Sequence, residues 1–361
     1  MDRSYVQIGA LAPLSRPGWI DAGRHLLAGL DLAIEEVNRA GGIAGRPLKL
    51  VVRDTVADPQ KATAAVDELA SLGVVALVGE YHSVVARAAA VRADAIGLPY
   101  LCSSAVLDNL TEQPTNWVAR LAPAQSKSWQ AYADFLLAMS HTNIAIVADP
   151  TSVYWASGIS ILREHFAPRG GTVIEFNIRE LGPGDICDEL ARQDGRVTAL
   201  LLLVGLPEPA AAIVKAVRHD QRLAGLIMGA PAGQPEFAEW ARLLGNDGAA
   251  IPFLRYLPER LSPLGARIET ALCEKLDEMP SFVAFEGYDT ITILTDILRF
   301  HGTNRMRTAP SWERVFVEGT RGPISFSRIP GINVWQWAWP PVQVVDRDPA
   351  HPTHFRTLHT I

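Results

Sequence analysis

The residues best placed to bind a small molecule follow two predicted strands in the first third of the chain. The run Gly79-Glu80-Tyr81-His82-Ser83 comes directly after an apolar strand, and Ser103-Ser104-Ala105-Val106 follows the next strand. A serine at the start of a helix can turn its hydroxyl and the first helical N–H groups toward a bound carboxylate. The same serine can instead be a plain N-cap that binds no ligand. The residues alone leave these two interpretations of Ser83 equally open.

Two further groups follow strands in the middle of the chain. Tyr154-Trp155 comes after a strand near Ile144, and Pro231-Ala232-Gly233 comes after a strand near Leu226. In doubly wound sheets, ligands bind at the carboxyl ends of the strands, where loops and helix N-termini converge. Both groups are therefore candidates for ligand contact.

The elements that must position these residues alternate along the chain. Apolar runs of strand length are separated by stretches with helical spacing, such as Leu26, Leu30 and Ile34 on one face. Asp58-Pro59 is a good helix start, with a capping side chain followed by proline at the first helical position. Short connections between strands and helices predict βαβ units with parallel strands. The middle of the chain repeats the pattern, which predicts a second sheet of the same type. Near the C-terminus, Trp335 to Trp339 alternates with period two, which predicts a strand with one packed aromatic face.

Composition and motif searches exclude several classes of function. The net charge of −6 and pI near 5.9 argue against a nucleic-acid partner, and no apolar run is long enough to span a bilayer. There is no GxSxG elbow, Walker A loop, HExxH or GxGxxG after a strand, so the sequence predicts no enzyme and no cofactor. The 361 residues predict two lobes.

Metal binding and disulfides are not expected. Cys102, Cys187 and Cys273 lie far apart and are odd in number, which predicts buried or half-buried thiols. His351 and His354, with His359, lie in a C-terminal tail beside a proline, and no metal site is predicted there.

Several segments, taken together, resemble the type I periplasmic binding proteins of branched-chain amino acid transport, with the amide receptors as relatives. The matching residues run in order along nearly the whole chain: Ile8 to Pro13, Gly18, Gly29, Asn38 to Leu48, Asp54, Asp58-Pro59, Val78-Gly79, Ser83, Leu98-Pro99, Ser103-Ser104-Ala105, Leu110-Thr111 and Phe285 to Asp289. The segment Asn38 to Leu48 and the Gly-Tyr-Asp segment near residue 288 are specific in combination.

This resemblance implies an α/β fold of two doubly wound parallel-sheet lobes joined by three hinge crossovers, with a ligand trapped between the lobes when they close. Transferred to this chain, lobe one comprises residues 1–121 and 253–330, and lobe two comprises 122–252 and 331–361. The hinge strands are expected near Arg120 to Pro123, near Ala250 to Phe253 and at the Trp335 strand.

The resemblance also assigns roles to individual residues. It implies that Ser83 binds a ligand carboxylate, that the backbone carbonyl of Ala105 lies at an ammonium position, and that Trp19 and Tyr154 contact the ligand. The complete predicted set of ligand-binding residues is Trp19, Tyr81, His82, Ser83, Ser103, Ser104, Ala105, Val106, Tyr154, Trp155, Leu206, Pro231 and Ala232.

Three departures from the family pattern bear on the ligand. Val106 stands where the family has threonine, and Leu206 stands where it has a tyrosine of the second lobe. The glutamate that pairs with a ligand amino group falls at Pro231 or Ala232. A buried ammonium without a carboxylate partner would cost several kcal/mol. The expected ligand is therefore a carboxylate with an apolar or aromatic body, or a neutral amide-like molecule.

Three functions compete at this point. The first is a solute-binding protein that delivers its ligand to ABC permease subunits and is periplasmic or extracellular and membrane-associated. The second is a cytoplasmic sensor of the amide-receptor type with a regulatory partner, and the third is an enzyme on a similar scaffold. The chain opens without a basic segment followed by an apolar stretch, so we expect either a cytoplasmic protein or a mature secreted form. The missing catalytic motifs argue against the third.

Overall fold

The computed structural model describes residues 4–360, except the side chain of Pro310. Residues 1–3 and 361, which the predicted lobe limits include, lie outside this range. The helices are α1 (Ile20–Arg39), α2 (Pro59–Ser71), α3 (Ser83–Ala95), α4 (Gln125–Ala138), α5 (Val153–Phe166), α6 (Pro183–Arg192), α7 (Ala210–His219), α8 (Ala238–Leu244), α9 (Pro263–Leu276), α10 (Phe282–His301) and α11 (Arg305–Thr308). The strands are β1 (Val6–Ala12), β2 (Leu48–Asp54), β3 (Ala76–Gly79), β4 (Tyr100–Cys102), β5 (Val118–Arg120), β6 (Asn143–Ala148), β7 (Thr172–Asn177), β8 (Ala199–Leu203), β9 (Ile227–Gly229), β10 (Phe253–Arg255), β11 (Phe316–Gly319), β12 (Gly322–Ser327), β13 (Trp335–Trp337), β14 (Gln343–Arg347) and β15 (Phe355–Thr360).

Local sequence accounts for where these elements begin and which face they bury. The Asp58 carboxylate accepts hydrogen bonds from the backbone N–H groups of Gln60 (2.7 Å) and Lys61 (3.0 Å), so α2 begins at Pro59 as predicted. Helix α1 buries the predicted apolar face, including Leu26 and Leu30. Strand β3 is buried along its whole length, as expected for a central strand covered on both faces.

The chain divides into two compact units. The first unit comprises the residues up to Ala124 together with Tyr256–Pro341. Its eight-stranded sheet has the order β11-β12-β13-β5-β4-β3-β1-β2. The strands from β2 through β13 pair in parallel, and β12 and β11 add an antiparallel edge.

The second unit comprises Gln125–Arg255 together with the residues from Val342 on. A four-stranded parallel sheet has the order β7-β6-β8-β9, which agrees with the predicted second sheet. A separate antiparallel sheet of three strands has the order β10-β14-β15. The expected thiols are present: Cys102 and Cys187 are buried, Cys273 is half-buried, and all three are free.

The structure corrects the predicted lobe boundaries and one strand. Residues 122–124 were assigned to the second lobe but lie in the first unit, and residues 253–255 were assigned to the first lobe but lie in the second unit, where β10 pairs with β14. Residues 331–341 were assigned to the second lobe, but they belong to the first unit because β13 pairs with β5 and β12. The chain passes between the units at 124/125, 255/256 and 341/342, and their action as hinges stays a prediction. The predicted aromatic strand ends at Trp337, which is buried, whereas Trp339 lies beyond it with 78% of its surface exposed. The expected packing of all three tryptophans on one face is therefore wrong for Trp339.

A search of the described part of the chain finds no helix with both the length and the apolar character needed to cross a membrane.

Candidate functional site

The turn after β3 lies at the point in the first sheet where ligands usually bind. The strand order β2-β1-β3-β4 changes direction between β1 and β3, and such switch points form the ligand crevice of doubly wound sheets. Gly79 ends β3 with φ of +99°, and a Cβ added there would lie 2.1 Å from the carbonyl oxygen of Leu11 on β1. Only glycine fits this turn, because both the backbone conformation and the close approach exclude a side chain.

Ser83 is the first residue of α3, and its hydroxyl is not an N-cap. The N-cap position belongs to His82, whose side chain makes no capping hydrogen bond. The Oγ of Ser83 instead accepts hydrogen bonds from the backbone N–H groups of Val106 (3.1 Å) and Leu107 (3.3 Å). These bonds use the acceptor capacity of the oxygen, which leaves its O–H to donate. The first N–H groups of α3 lie beside it and lack intrahelical partners.

The loop after β4 is held from its other side by a buried arginine. Arg120, at the end of β5, donates from Nη1 to the carbonyl oxygens of Val106 (3.1 Å) and Leu107 (2.6 Å). Its Nε donates to Oε1 of Gln336 on β13 (2.7 Å), and Nε2 of Gln336 donates to the carbonyl of Ala122 (2.7 Å). The loop is therefore fixed between Ser83 and Arg120.

The predicted residues Ser103, Ser104 and Ala105 precede this clamp. The Ser103 N–H donates to the carbonyl of Gly79 (3.1 Å), which ties the loop to the turn after β3. The Ser104 hydroxyl donates to the Ser103 hydroxyl (3.1 Å), and both side chains are buried. Ala105 is also buried. The structure thus brings the predicted residues of both loops together in the first unit.

Three predicted aromatic residues of the first unit form one cluster. The rings of Trp19 and Tyr81 lie 5.4 Å apart, and His82 packs edge-on at 5.9 Å from Trp19 and 5.5 Å from Tyr81. The backbone N–H of Trp19 donates to Nε2 of His82 (3.1 Å), which assigns the proton of the neutral ring to Nδ1. Burial lowers the pKa of His82 to about 4, so the ring is neutral at pH 7.

Glu80, in the same turn, is completely buried. One carboxyl oxygen accepts from the Thr55 hydroxyl (2.7 Å), and the other accepts from the N–H groups of Tyr81 (2.8 Å) and His82 (2.9 Å). Burial raises the pKa of Glu80 to about 7 in spite of these donors. Its carboxyl group shapes the turn that carries the aromatic cluster, a role that sequence reasoning did not assign.

Two further buried carboxyl groups, those of Glu286 and Asp289, lie on α10. The Arg321 guanidinium donates to Glu286 Oε1 (3.1 Å) and to Asp289 Oδ2 (3.1 Å), and all three side chains are buried. Burial raises the pKa of Glu286 to about 7 and that of Asp289 above its usual range. Arg321 also donates to the carbonyl of Tyr256 (3.2 Å), at the start of the chain's return to the first unit.

In the second unit, the predicted Tyr154 and Trp155 lie in the first turn of α5, after β6. Their rings lie 4.6 Å apart, and Tyr154 packs edge-on against Trp129 at 5.8 Å. The order β7-β6-β8-β9 changes direction between β6 and β8, so these rings and the predicted Leu206 after β8 follow the two strands of the second switch point. Leu206 is buried.

The segment after β9 carries the remaining predicted residues and two that the sequence analysis missed. Pro231 is buried and Ala232 is half-buried. Nearby, Gln234 donates to the carbonyl of Val204 (3.0 Å), and the buried Glu236 carboxylate pairs with Arg255 (2.9 Å). Their polarity inside an apolar segment was a signal that could have identified them.

The described residues hold no group of three or more His, Cys, Asp or Glu side chains arranged to hold a metal ion. Ligand contact by any of the predicted residues stays a prediction.

Comparison with known proteins decides the family. Residues 5–329 match the model of the periplasmic binding protein family. The chain belongs to this family. The match covers most of the chain and includes the turn after β3, the loop after β4 and α10.

Curated relatives of this periplasmic binding protein resemble only part of it. Over an aligned stretch of 133 residues, it is 35% identical to Leu/Ile/Val-binding protein homolog 8 of Brucella abortus. This stretch is 37% of this chain and 32% of the relative. Over an aligned stretch of 118 residues, it is 32% identical to Leu/Ile/Val-binding protein homolog 7 of Brucella melitensis. This stretch is 33% of this chain and 29% of the relative. The match thus spans about a third of each relative.

Solved structures show the type I periplasmic binding protein fold across the whole chain. A leucine-binding protein, LivK, from Thermotoga maritima is 19% identical with a TM-score of 0.83, covering 99% of this chain and 98% of its own. A solute-binding protein of an ABC transporter from R. palustris, in complex with benzoate, is 18% identical with a TM-score of 0.81, covering 99% and 96%. LivJ from Streptococcus pneumoniae, in complex with isoleucine, is 18% identical with a TM-score of 0.78, covering 99% and 100%. The predicted fold is confirmed.

Proposed function

We propose that this protein is the solute-binding component of an ABC importer and captures a small carboxylate with an aromatic or apolar body. The observation that carries the proposal is Ser83, whose Oγ accepts two backbone N–H groups at the start of α3. A hydroxyl held in this way keeps its O–H for an acceptor on the ligand, next to the free N–H groups of the helix.

An anion suits this position electrostatically. The N-terminus of a helix carries a partial positive charge, and α3 is long enough, at 13 residues, for its dipole to contribute. Arg120 adds a full positive charge on the other side of the loop that Ser83 holds. His82 is neutral at pH 7 and adds no charge, since its pKa is about 4. A carboxylate group on the ligand therefore fits better than a cationic group.

The aromatic cluster supports a flat or apolar ligand body. Trp19, Tyr81 and His82 are half-buried side chains in mutual contact at the same switch point as Ser83. Ligand pockets are lined mainly by apolar and aromatic side chains, with a few polar groups that fix orientation. A neighbour of the same fold, from R. palustris, is in complex with benzoate, which is a ligand of this class.

The second unit argues against an α-amino acid. Pro231 and Ala232 stand where the family resemblance places the glutamate that pairs with a ligand amino group. Glu236, the buried carboxylate nearby, is paired with Arg255 at 2.9 Å. An ammonium group would therefore be buried without a carboxylate of its own, which costs several kcal/mol. A neutral amide-like molecule is the second ligand class that this pattern permits.

Delivery to ABC permease subunits and a periplasmic or membrane-associated extracellular location are parts of the same proposal. They are supported by the family match over residues 5–329 and by neighbours described as ABC transporter solute-binding proteins. Trapping of the ligand by closure of two lobes also stays a prediction.

A thermal-shift screen tests the proposal. The panel contains aromatic carboxylates such as benzoate, aliphatic carboxylates, the corresponding amides, and leucine, isoleucine and valine. A ligand at a hundredfold excess over its dissociation constant stabilises the folded protein by about 2.7 kcal/mol, which is a measurable rise in Tm. We expect carboxylates without an amino group to produce this rise. Stabilisation by the amino acids alone would contradict the proposed ligand class, and stabilisation by no member of the panel would contradict the proposed function.

A further inference from the structure

We propose that Arg120 is the positioning residue that makes this site select an anion, acting through the loop 103–107 and through its own buried charge. This inference rests on the proposed function and deepens it, because it names the group responsible for preferring a carboxylate over a neutral isostere.

Arg120 is a completely buried cation held almost entirely by neutral groups. Its partners are the carbonyl oxygens of Val106 and Leu107 and the amide oxygen of Gln336. Its Nη2 makes no hydrogen bond within the described part of the chain, and none of the ion pairs found there includes it. Burial lowers its pKa from the ordinary value, although the group stays charged at neutral pH.

One peptide group connects this charge to the candidate ligand-binding hydroxyl. The carbonyl of Val106 accepts from Arg120 (3.1 Å), and the N–H of Leu107 in the same peptide group donates to Ser83 Oγ (3.3 Å). Since the oxygen and nitrogen of one peptide group are about 2.3 Å apart, Arg120 Nη1 and Ser83 Oγ are separated by at most about 9 Å. The guanidinium also polarises the peptide group, which strengthens the bond to Ser83.

The nearby acidic groups offset this charge only in part. Asp108 attracts the guanidinium electrostatically, but Asp108 is half-buried, so solvent screens that attraction. Glu286 and Asp289 are bound to Arg321, and Glu80 is bound to Thr55 and two backbone N–H groups. Glu80 and Glu286 both have pKa values raised to about 7, so each is partly protonated at neutral pH. A buried cation without a hydrogen-bonded carboxylate is costly, and a ligand carboxylate would add a negative charge near it.

The expected size of the effect follows from the separation. A ligand carboxylate hydrogen-bonded to Ser83 would lie within about 12 Å of the guanidinium. At an effective dielectric constant near 20, the attraction over that distance corresponds to about tenfold in affinity. A neutral amide of the same shape would gain almost none of it.

The test compares benzoate with benzamide by isothermal titration calorimetry of the full chain. The variants are Arg120→Met, which removes the charge, Arg120→Lys, which keeps it, and Gln336→Leu, which loosens the clamp but leaves the charge. We expect Arg120→Met to lower the benzoate affinity about tenfold more than the benzamide affinity. Arg120→Lys should restore most of the benzoate preference, and Gln336→Leu should weaken both ligands by the same factor.

A second variant keeps the inference testable if Arg120→Met does not fold. Gln336→Glu places a carboxylate on Arg120 Nε, so it should weaken benzoate binding selectively while Arg120 stays in place. Equal weakening of benzoate and benzamide in Arg120→Met or Gln336→Glu would overturn the inference and leave the proposed function intact. Failure of the wild type to bind either probe would instead contradict the proposed function, and the inference would fall with it.

Discussion

Replacing Ser83 by alanine should affect both the stability of the first unit and the affinity for a carboxylate. The substitution leaves the backbone N–H groups of Val106 and Leu107 without their acceptor, and both residues are 5% exposed. A buried donor left unpaired costs roughly 1–3 kcal/mol, so the loss of the acceptor for two donors should lower the free energy of unfolding by about 2–6 kcal/mol. The loss should be near the lower end, because the bond to Leu107 is 3.3 Å long.

The effect on binding is separate from the effect on folding. A hydrogen bond from a hydroxyl to a carboxylate contributes roughly 1.5–3 kcal/mol, which corresponds to a loss of about 10- to 150-fold in affinity. Chemical denaturation measures the first quantity, and isothermal titration with benzoate measures the second. Denaturation midpoints and dissociation constants equal to those of the wild type would refute both roles of Ser83.

Thr295→Val is a matched control for Ser83→Ala. Thr295 is a buried hydroxyl residue of the same unit, on α10, and its Oγ1 makes no hydrogen bond within the described residues. Its removal leaves no backbone donor unpaired, so both stability and benzoate affinity should stay close to those of the wild type. A control that loses as much affinity as Ser83→Ala would show that the loss is nonspecific.

Three further substitutions test buried groups of the two units. The pKa of Glu80 is about 7 in the folded protein and 4.5 ordinarily, so its contribution to stability is complete below pH 4.5 and is lost as the pH rises through 7. The unfolding free energy of the wild type should therefore decline between pH 5 and 8, and Glu80→Gln should remove up to about 3 kcal/mol of that decline. Parallel profiles of unfolding free energy against pH for the wild type and the variant would contradict this. Gly158→Ala places a Cβ 2.0 Å from the buried Trp129 ring and should cost about 1–3 kcal/mol, measured as a lower Tm; an unchanged Tm would exclude the predicted clash. Arg321→Met leaves the carboxyl groups of Glu286 and Asp289 buried without their cation. The free energy of unfolding, measured by urea denaturation at pH 8, should fall by about 3–5 kcal/mol. The cost should be smaller at pH 5, where raised pKa values allow protonation, and an equal cost at both pH values would contradict the assignment.

Local signals were sufficient for much of the fold. The alternation of apolar strands with amphipathic helices predicted the parallel sheets, and Asp58-Pro59 predicted the start of α2, because both depend on residues close in sequence. The same reasoning placed Tyr81, His82 and Ser83 after a strand, whereas Trp19 was assigned through the family resemblance. Their assembly at one switch point depends on the strand order, which the family resemblance implied.

The supporting network could not be predicted, because it joins residues far apart in sequence. Arg120 and Gln336 are 216 positions apart, and their contact depends on β13 pairing with β5. That pairing also moved residues 331–341 into the first unit, which short apolar runs separated by turns did not indicate. The burial of Glu80 was hidden for a similar reason, since its partner Thr55 comes from the loop after β2.

Buried hydrogen bonds connect the turn after β3, the start of α3 and the loop after β4. Gly79 allows the close turn after β3, Glu80 holds that turn through the N–H groups of Tyr81 and His82, and Ser83 begins the helix that follows. Arg120 then fixes the second loop against Ser83. Each step depends on buried hydrogen bonds between groups with defined donor and acceptor roles, so single substitutions separate their contributions.

A comparison of leucine with 4-methylpentanoate tests directly whether the ligand is a carboxylate without an amino group, because the two molecules differ only in the α-amino group. Dissociation constants for the wild-type protein, measured by isothermal titration calorimetry at pH 7.5, give the contribution of that group alone. Because Pro231 and Ala232 offer no carboxylate and Glu236 is paired with Arg255, we expect 4-methylpentanoate to bind at least tenfold more tightly than leucine. Tighter binding of leucine would contradict the proposed ligand class, since the ammonium group would then need an acidic partner other than Glu236, which is paired with Arg255.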